Sequence, residues 1–166
     1  MCIRDSIDTI LNIHKQLLEG VEDQIGGEIR NSKVVVGNPS KDGDIVIKHE
    51  PPKHTKEEIT KLLEELIEWT NISEELPILK AGIYHHEFVY IHPFVDGNGR
   101  TCRLTTTLLL NKLGYQINKY FILDDYYDID RIQYSDSLHS ADSGDKTEWL
   151  ESVSYTHLTL PTIYSV

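Results

Sequence analysis

The feature that most constrains this chain is a glycine-rich loop between two apolar helical segments. The loop spans residues 92–103 and reads His-Pro-Phe-Val-Asp-Gly-Asn-Gly-Arg-Thr-Cys-Arg. Before it, apolar residues around most of a helical circumference predict a buried helix that begins at Pro77 and ends at His92, because Pro93 disfavours helical geometry in the residue it follows. After it, a second apolar helix is predicted over 100–113, with Gly114 as its C-terminal cap.

The remaining elements are shorter. Apolar spacing predicts an amphipathic helix over 7–20, and two β-branched triplets at 34–36 and 45–47 around a turn-forming cluster predict a β-hairpin. A capping-box pattern at Thr55 and Glu58 starts a predicted helix over 55–69. Two further helices are predicted over 130–140 and from near Lys146. The chain is therefore expected to be mainly α-helical, a helical bundle with a short β-hairpin.

Length and charge exclude several classes. A chain of 166 residues corresponds to one domain. Its 16 Lys and Arg against 27 Asp and Glu give a net charge of −11, which repels nucleic acid and anionic membranes, so we predict neither as a partner. Two cysteines, Cys2 and Cys102, make no disulfide framework, which favours a cytoplasmic protein.

Both ends differ in character from the middle of the chain. Residues 1–6 and 152–166 resemble translated sequencing-adaptor read-through, and such segments do not belong in fold reasoning. We therefore expect the genuine domain, a catalytic core, to be residues 7–151.

The loop concentrates groups that suit a phosphate chain. Gly97 and Gly99 allow positive φ angles that turn N–H groups toward an anion, and the N-terminus of the following helix adds its positive dipole. Arg100 and Arg103 share a helix face, from which both can bind outer phosphate oxygens. The loop is thus predicted to bind a phosphorylated ligand.

Two other loop residues have chemistry to add. Asp96 is a hard oxygen ligand beside the phosphate site, where Mg²⁺ commonly bridges a carboxylate and substrate phosphates. His92 is the loop group with an ordinary pKa near neutrality, which makes it the natural general base. Cys102, one turn into a leucine-rich helix, is interpreted as a small packing residue and not as a nucleophile.

Two features keep a structural alternative. His85 and His86 lie in the predicted buried helix, where core histidines are more common than ligands. From the sequence alone, the hairpin at 34–47 is equally well read as an edge ribbon or as a surface that docks a target.

The segment 92–103 resembles the Fic signature HxFx(D/E)GNGRxxR at every specified position. The similarity extends to the stretch from His14 to Arg30, the strand at 34–38, the Pro51-Pro52 pair and the segment from Gly144 to Trp149. It covers residues 7–151, and it implies a Fic-type helical fold and protein adenylyltransferase activity, which is transfer of AMP from ATP to a Ser, Thr or Tyr hydroxyl of a target protein.

The resemblance also implies residue roles. His92 deprotonates the hydroxyl that attacks the α-phosphate, Asp96 binds Mg²⁺, and Phe94 anchors the loop. The phosphates are bound by Gly97, Asn98, Gly99, Arg100 and Arg103. The hairpin at 34–47 corresponds to a flap that docks the target by β-augmentation.

Departures from the family pattern leave alternatives open. Cys102 stands where glycine is common, and Lys15 stands where an inhibitory (S/T)xxxE(G/N) motif ending at Glu19-Gly20 needs Ser or Thr, so that stretch is not taken as the motif. One alternative is a Fic-fold enzyme that removes AMP or uses another nucleotidyl or phosphoryl donor, although Gly99 disfavours the Doc-type kinases, which have Lys there. Another is a non-catalytic nucleotide-binding regulatory module, and His92 argues against it. A homodimer is left open.

Overall fold

The computed structural model describes residues 6–39, 45–115 and 131–153. The predicted non-native ends lie almost wholly outside these residues, as does the hairpin turn. The described part contains six α-helices, one 3-10 helix and one antiparallel pair of strands, which confirms the predicted mainly helical class. In chain order they are α1 (Ile7–Leu18), β1 (Val36–Pro39), β2 (Ile45–His49), α2 (Lys56–Ile72), α3 (Pro77–Ile91), α4 (Asn98–Lys112), α5 (Arg131–Ser140), the 3-10 helix (Ala141–Ser143) and α6 (147–153).

The described residues form two compact units. The first takes in the described residues up to Ile72 together with Glu87–Cys102, and the second takes in Ser73–His86 and the described residues from Arg103 onward. Helices α3 and α4 therefore each contribute residues to both units. No helix in the described ranges is long and apolar enough to cross a membrane.

The first unit is built on α1 and α2, which contact each other. Ser6 caps α1, its hydroxyl accepting from the N–H of Thr9 at 3.4 Å. The predicted capping pair starts α2: the Thr55 hydroxyl donates to Glu58 Oε2 at 2.9 Å and accepts from the Glu58 N–H at 3.4 Å. The core of this unit is made by buried apolar side chains from α1, α2, α3 and the following loop: Ile10, Leu18, Ile59, Leu63, Phe88, Ile91 and Phe94.

The predicted hairpin is present, although its first strand begins at Val36 and not at residue 34. Gly37 pairs with Ile47, and the register shifts between Val36 and Gly37. Toward its end β2 is tied to α3, because His49 is buried and its Nε2 lies 2.9 Å from the Tyr90 carbonyl oxygen.

In the second unit α6 approaches α3 closely at Gly82. A Cβ at that position would lie 2.9 Å from Leu150 Cδ2, so a larger residue would require the Leu150 side chain to move. The buried Trp149 indole N–H donates to the Gly82 carbonyl at 2.8 Å. His85 and His86 are also buried here, 1% and 2% exposed, as the core interpretation predicted.

Candidate active site

His92 follows directly on the last residue of α3 and has a strained backbone. Its φ is +51°, in the left-handed region that costs a non-glycine residue about 1–2 kcal/mol. Its N–H still donates to the Phe88 carbonyl at 3.1 Å, so the helical hydrogen bonding continues to this residue before the chain turns at Pro93. Strain of this kind persists only where neighbouring contacts impose it.

The His92 ring is neutral at physiological pH. Burial lowers its pKa to about 4, and the nearby His49 and Arg30 add smaller effects in the same direction. Nδ1 lies 3.4 Å from the Val89 carbonyl, which favours the tautomer with the proton on Nδ1. The half-buried ring therefore presents Nε2 as the atom with the lone pair.

The Asn98 side chain holds the loop closed. Its Oδ1 accepts from the Phe94 N–H at 2.9 Å, and its Nδ2 donates to the Phe94 carbonyl at 2.8 Å. Phe94 itself is fully buried. Because both ends of the amide are committed to main chain, the contribution we expect from Asn98 to a phosphate site is its backbone N–H.

The two glycines of the loop differ. Gly97 has φ +75°, as predicted, and its carbonyl accepts from the Thr101 N–H at 2.9 Å to open α4. The expectation of a positive φ at Gly99 is wrong: α4 begins at Asn98, two residues earlier than predicted, and Gly99 lies in its first turn. The Asn98 side-chain clamp is what allows this early start. The first N–H bonded to the carbonyl four residues before it is that of Thr101. The N–H groups of residues 98–100 therefore have no acceptor within the helix, which is the anion-binding geometry of a helix N-terminus.

Asp96 and Arg100 are charged and exposed at this helix start. Arg100 Nη2 donates to Asp96 Oδ2 at 2.9 Å, and the two side chains are 58% (Asp96) and 43% (Arg100) exposed. A carboxylate with hard oxygens next to an anion-binding helix end has the donor chemistry that Mg²⁺ requires. Arg103 lies three residues further along α4, in the second unit.

The side chains of His14 and Arg30, both outside the loop, bond to its backbone, and neither was assigned a role in the site from the sequence. His14 is bonded to the carbonyl of Asp96, and Arg30 to that of His92. His14 lies between Ile10 and Leu18 on the buried face of α1, and a histidine at such a position needs a polar partner. The helical spacing does not identify that partner. Arg30 carried no local signal beyond its place in the resemblance.

Known proteins are similar to this chain in sequence. A model of the Fic/DOC family matches residues 5–110. Protein adenylyltransferase fic-1 of Caenorhabditis elegans is 32% identical over 143 residues, covering 84% of this chain and 25% of that protein. Protein adenylyltransferase Fic of Drosophila willistoni is 36% identical over 115 residues, covering 66% of this chain and 20% of that protein. The chain thus spans about a fifth to a quarter of the length of these relatives.

Solved structures show the same fold. A Fic family protein from Desulfovibrio desulfuricans G20 superposes with a TM-score of 0.78 at 26% identity, over 99% of this chain and 50% of that one. Fic-1 from C. elegans superposes with a TM-score of 0.72 at 29% identity, over 96% and 42% of the two chains. Since the family match covers more than half of the sequence and includes the whole loop, this chain belongs to the Fic/DOC family.

Proposed function

We propose that this chain transfers AMP from ATP to a Ser, Thr or Tyr hydroxyl of a target protein. The observation that carries the proposal is the neutral His92 ring, with Nδ1 next to a carbonyl and Nε2 available, six residues before a helix start suited to phosphate. Relatives at 32% and 36% identity are named protein adenylyltransferases, which supports the same chemistry here.

In the proposed reaction His92 Nε2 takes the proton of the target hydroxyl. The hydroxyl oxygen forms a bond to the α-phosphorus, the bond from that phosphorus to the oxygen bridging to the β-phosphate breaks, and pyrophosphate leaves. A base with a pKa of about 4 is unprotonated throughout the neutral range. Negative charge from bound phosphates raises the pKa of a nearby imidazole, so nucleotide binding makes His92 a stronger base.

The remaining roles follow the charges of the loop. The N–H groups of Asn98 and Gly99, after the turn at Gly97, would bind phosphate oxygens, and the Arg100 and Arg103 guanidiniums would bind the outer phosphates. Asp96 would hold Mg²⁺, which neutralises phosphate charge when bound. The Asp96 carboxylate is paired with Arg100, so we expect this ion pair to open when nucleotide and metal bind.

A protein target would dock at the β1–β2 hairpin. Its two strands pair with each other, and Val46 and Ile47 expose 52% and 57% of their surface. An extended target segment that adds to such an edge gains main-chain hydrogen bonds and covers these side chains. The hairpin would thereby place the target hydroxyl relative to His92.

The test is transfer of label from α-labelled ATP, with Mg²⁺, to the chain itself or to proteins of a cell lysate. We expect labelled protein with wild type and none with His92→Ala. His54→Gln is the matched control, since His54 is a histidine of the same unit outside the loop, and it should label as wild type does.

The same experiment separates the alternatives. Label from γ-labelled ATP alone would indicate phosphoryl transfer, and loss of AMP from a pre-labelled protein would indicate the reverse reaction. Nucleotide binding by calorimetry without label on any protein would leave a binding module and would overturn the proposal.

A further inference from the structure

Two buried polar side chains from the N-terminal part of the chain reach the backbone of the loop. His14 is 0% exposed and lies on α1, and Arg30 is 2% exposed and follows the Gly26-Gly27 pair. Neither belongs to the 92–103 segment, and both lie in the first unit with residues 92–102. Burial lowers the pKa of each, since both lose the solvation that favours their charged forms.

Arg30 spreads its donors over four main-chain carbonyls. Such a fork fixes several backbone positions at once, as a single ammonium does not. The side-chain bonds run from Nε to His92 O (2.6 Å), from Nη1 to Ser32 O (2.7 Å), and from Nη2 to Lys53 O (2.8 Å) and Ile91 O (3.2 Å). The Arg30 N–H also donates to Pro93 O at 3.0 Å.

These bonds hold the chain where His92 is strained. Three consecutive carbonyls, of residues 91, 92 and 93, accept hydrogen bonds from Arg30. The backbone is therefore held at His92, whose φ is +51°, and at the residue on each side of it. The shortest of these bonds is the one to His92 itself. Arg30 thus supplies the external contacts that a left-handed non-glycine residue needs.

His14 holds the other end of the loop. The Gly27 N–H donates to Nδ1 at 2.9 Å, which leaves the ring proton on Nε2, and Nε2 then donates to the Asp96 carbonyl at 2.9 Å. The ring stacks on Phe94 at a centroid distance of 3.7 Å and an angle of 5°. A Cβ on Gly97 would lie 3.1 Å from His14 Nε2, so the turn at Gly97 is packed against this ring.

We infer that Arg30 and His14 are positioning residues with separate tasks: Arg30 sets the backbone of His92, and His14 sets the Asp96–Gly97 turn that begins the phosphate-binding helix. The inference rests on the proposed function for its kinetic consequences. Its physical basis is that each side chain contacts one end of the loop: Arg30 at residues 91–93, and His14 at Asp96 and Gly97.

The two tasks predict opposite kinetic signatures. Arg30→Lys keeps the charge but loses the fork, so kcat should fall by about 100-fold with little change in the KM for ATP, as a misplaced base requires. His14→Leu keeps a buried apolar side chain but loses both hydrogen bonds, so the KM and the calorimetric Kd for ATP should rise by about tenfold, with a smaller change in kcat.

Conservative variants and controls make the test specific. His14→Gln offers one amide donor and one acceptor and should recover much of the ATP affinity lost in His14→Leu. Lys33→Met removes an exposed cation of the same unit, paired with Glu50 at 2.6 Å, and should change neither constant. All constants are normalised to the folded fraction measured by circular dichroism.

A purely structural role would lower the active fraction in both Arg30→Lys and His14→Leu. It would not lower mainly kcat in the first and raise mainly the KM for ATP in the second, and that result would overturn the inference. If wild type transfers no AMP, the proposed function fails and the inference is judged without turnover. NMR shifts of the His92 backbone, which report φ, should then change in Arg30→Lys but not in Lys33→Met, and the ATP Kd should rise in His14→Leu. Unchanged shifts and an unchanged Kd would reject it.

Discussion

Two histidines, His85 within α3 and His92 directly after it, lie in different environments. His85, in the second unit, is held by side chains, with Tyr134 Oη 2.8 Å from Nε2 and Thr106 Oγ1 3.2 Å from Nδ1. His92, in the first unit, has Nδ1 at a long 3.4 Å from a carbonyl and a strained backbone gripped by Arg30. The His85 ring is held by hydrogen bonds to its two nitrogens, whereas His92 is held by hydrogen bonds to the main chain around it. The difference separates a histidine that links helices from the histidine proposed as the general base.

The largest expected effect is on transfer when the His92 ring is removed. His92→Gly should lower kcat by about 10²–10⁴-fold, the usual contribution of a general base. Stability should change by less than about 1 kcal/mol, because glycine adopts φ +51° without strain and offsets the lost packing. Labelling kinetics and urea unfolding measure the two quantities. Transfer retained within a few-fold of wild type would remove His92 as the base.

The opposite pattern is expected at His85. His85→Ala should lower the free energy of unfolding by about 2–3 kcal/mol, since the buried Thr106 hydroxyl and the partly buried Tyr134 hydroxyl lose this partner and a cavity forms. Transfer per folded molecule should be unchanged. Chemical unfolding and active-site titration test this. A large fall in kcat at wild-type stability would mean that the two histidines are not functionally distinct.

The two loop glycines, Gly97 and Gly99, differ in backbone conformation, and their variants should differ in stability. Gly97→Ala should destabilise the protein by about 1–2 kcal/mol, because its φ is +75° and the new Cβ presses on His14. Gly99→Ala, in the first turn of α4, should instead be neutral or stabilise by up to about 1 kcal/mol. Thermal unfolding of both variants decides this, and equal destabilisation would contradict the early helix start.

The last effect expected is on how stability depends on pH. The folded-state pKa of His92, about 4, lies below its ordinary 6.5, so between these values the unfolded chain binds more protons. Stability should therefore fall as pH drops from 6.5 to 4, and His92→Gln should fall less steeply. Urea unfolding from pH 4 to 7 measures this, and parallel curves would show that the His92 pKa is not depressed.

Much of the fold could be predicted because local rules govern it. The capping pair at Thr55 and Glu58, the proline limits of α3 and the apolar stripe of α1 each act within one or two helical turns. The start of α4 was predicted two residues late, because the Asn98 amide bonds to the Phe94 backbone and a glycine-rich sequence does not indicate this. The helix boundary was therefore decided by a side-chain clamp.

The sequence by itself determined the helical class, the hairpin, the family and the chemical content of the loop, since these depend on residue types and short spacings. Only the tertiary structure decided what holds the loop in shape. Arg30 lies 62 residues before His92, and His14 lies 82 residues before Asp96. A polar residue at a buried position indicates that a hydrogen-bond partner exists. Only the tertiary structure shows which residue that partner is.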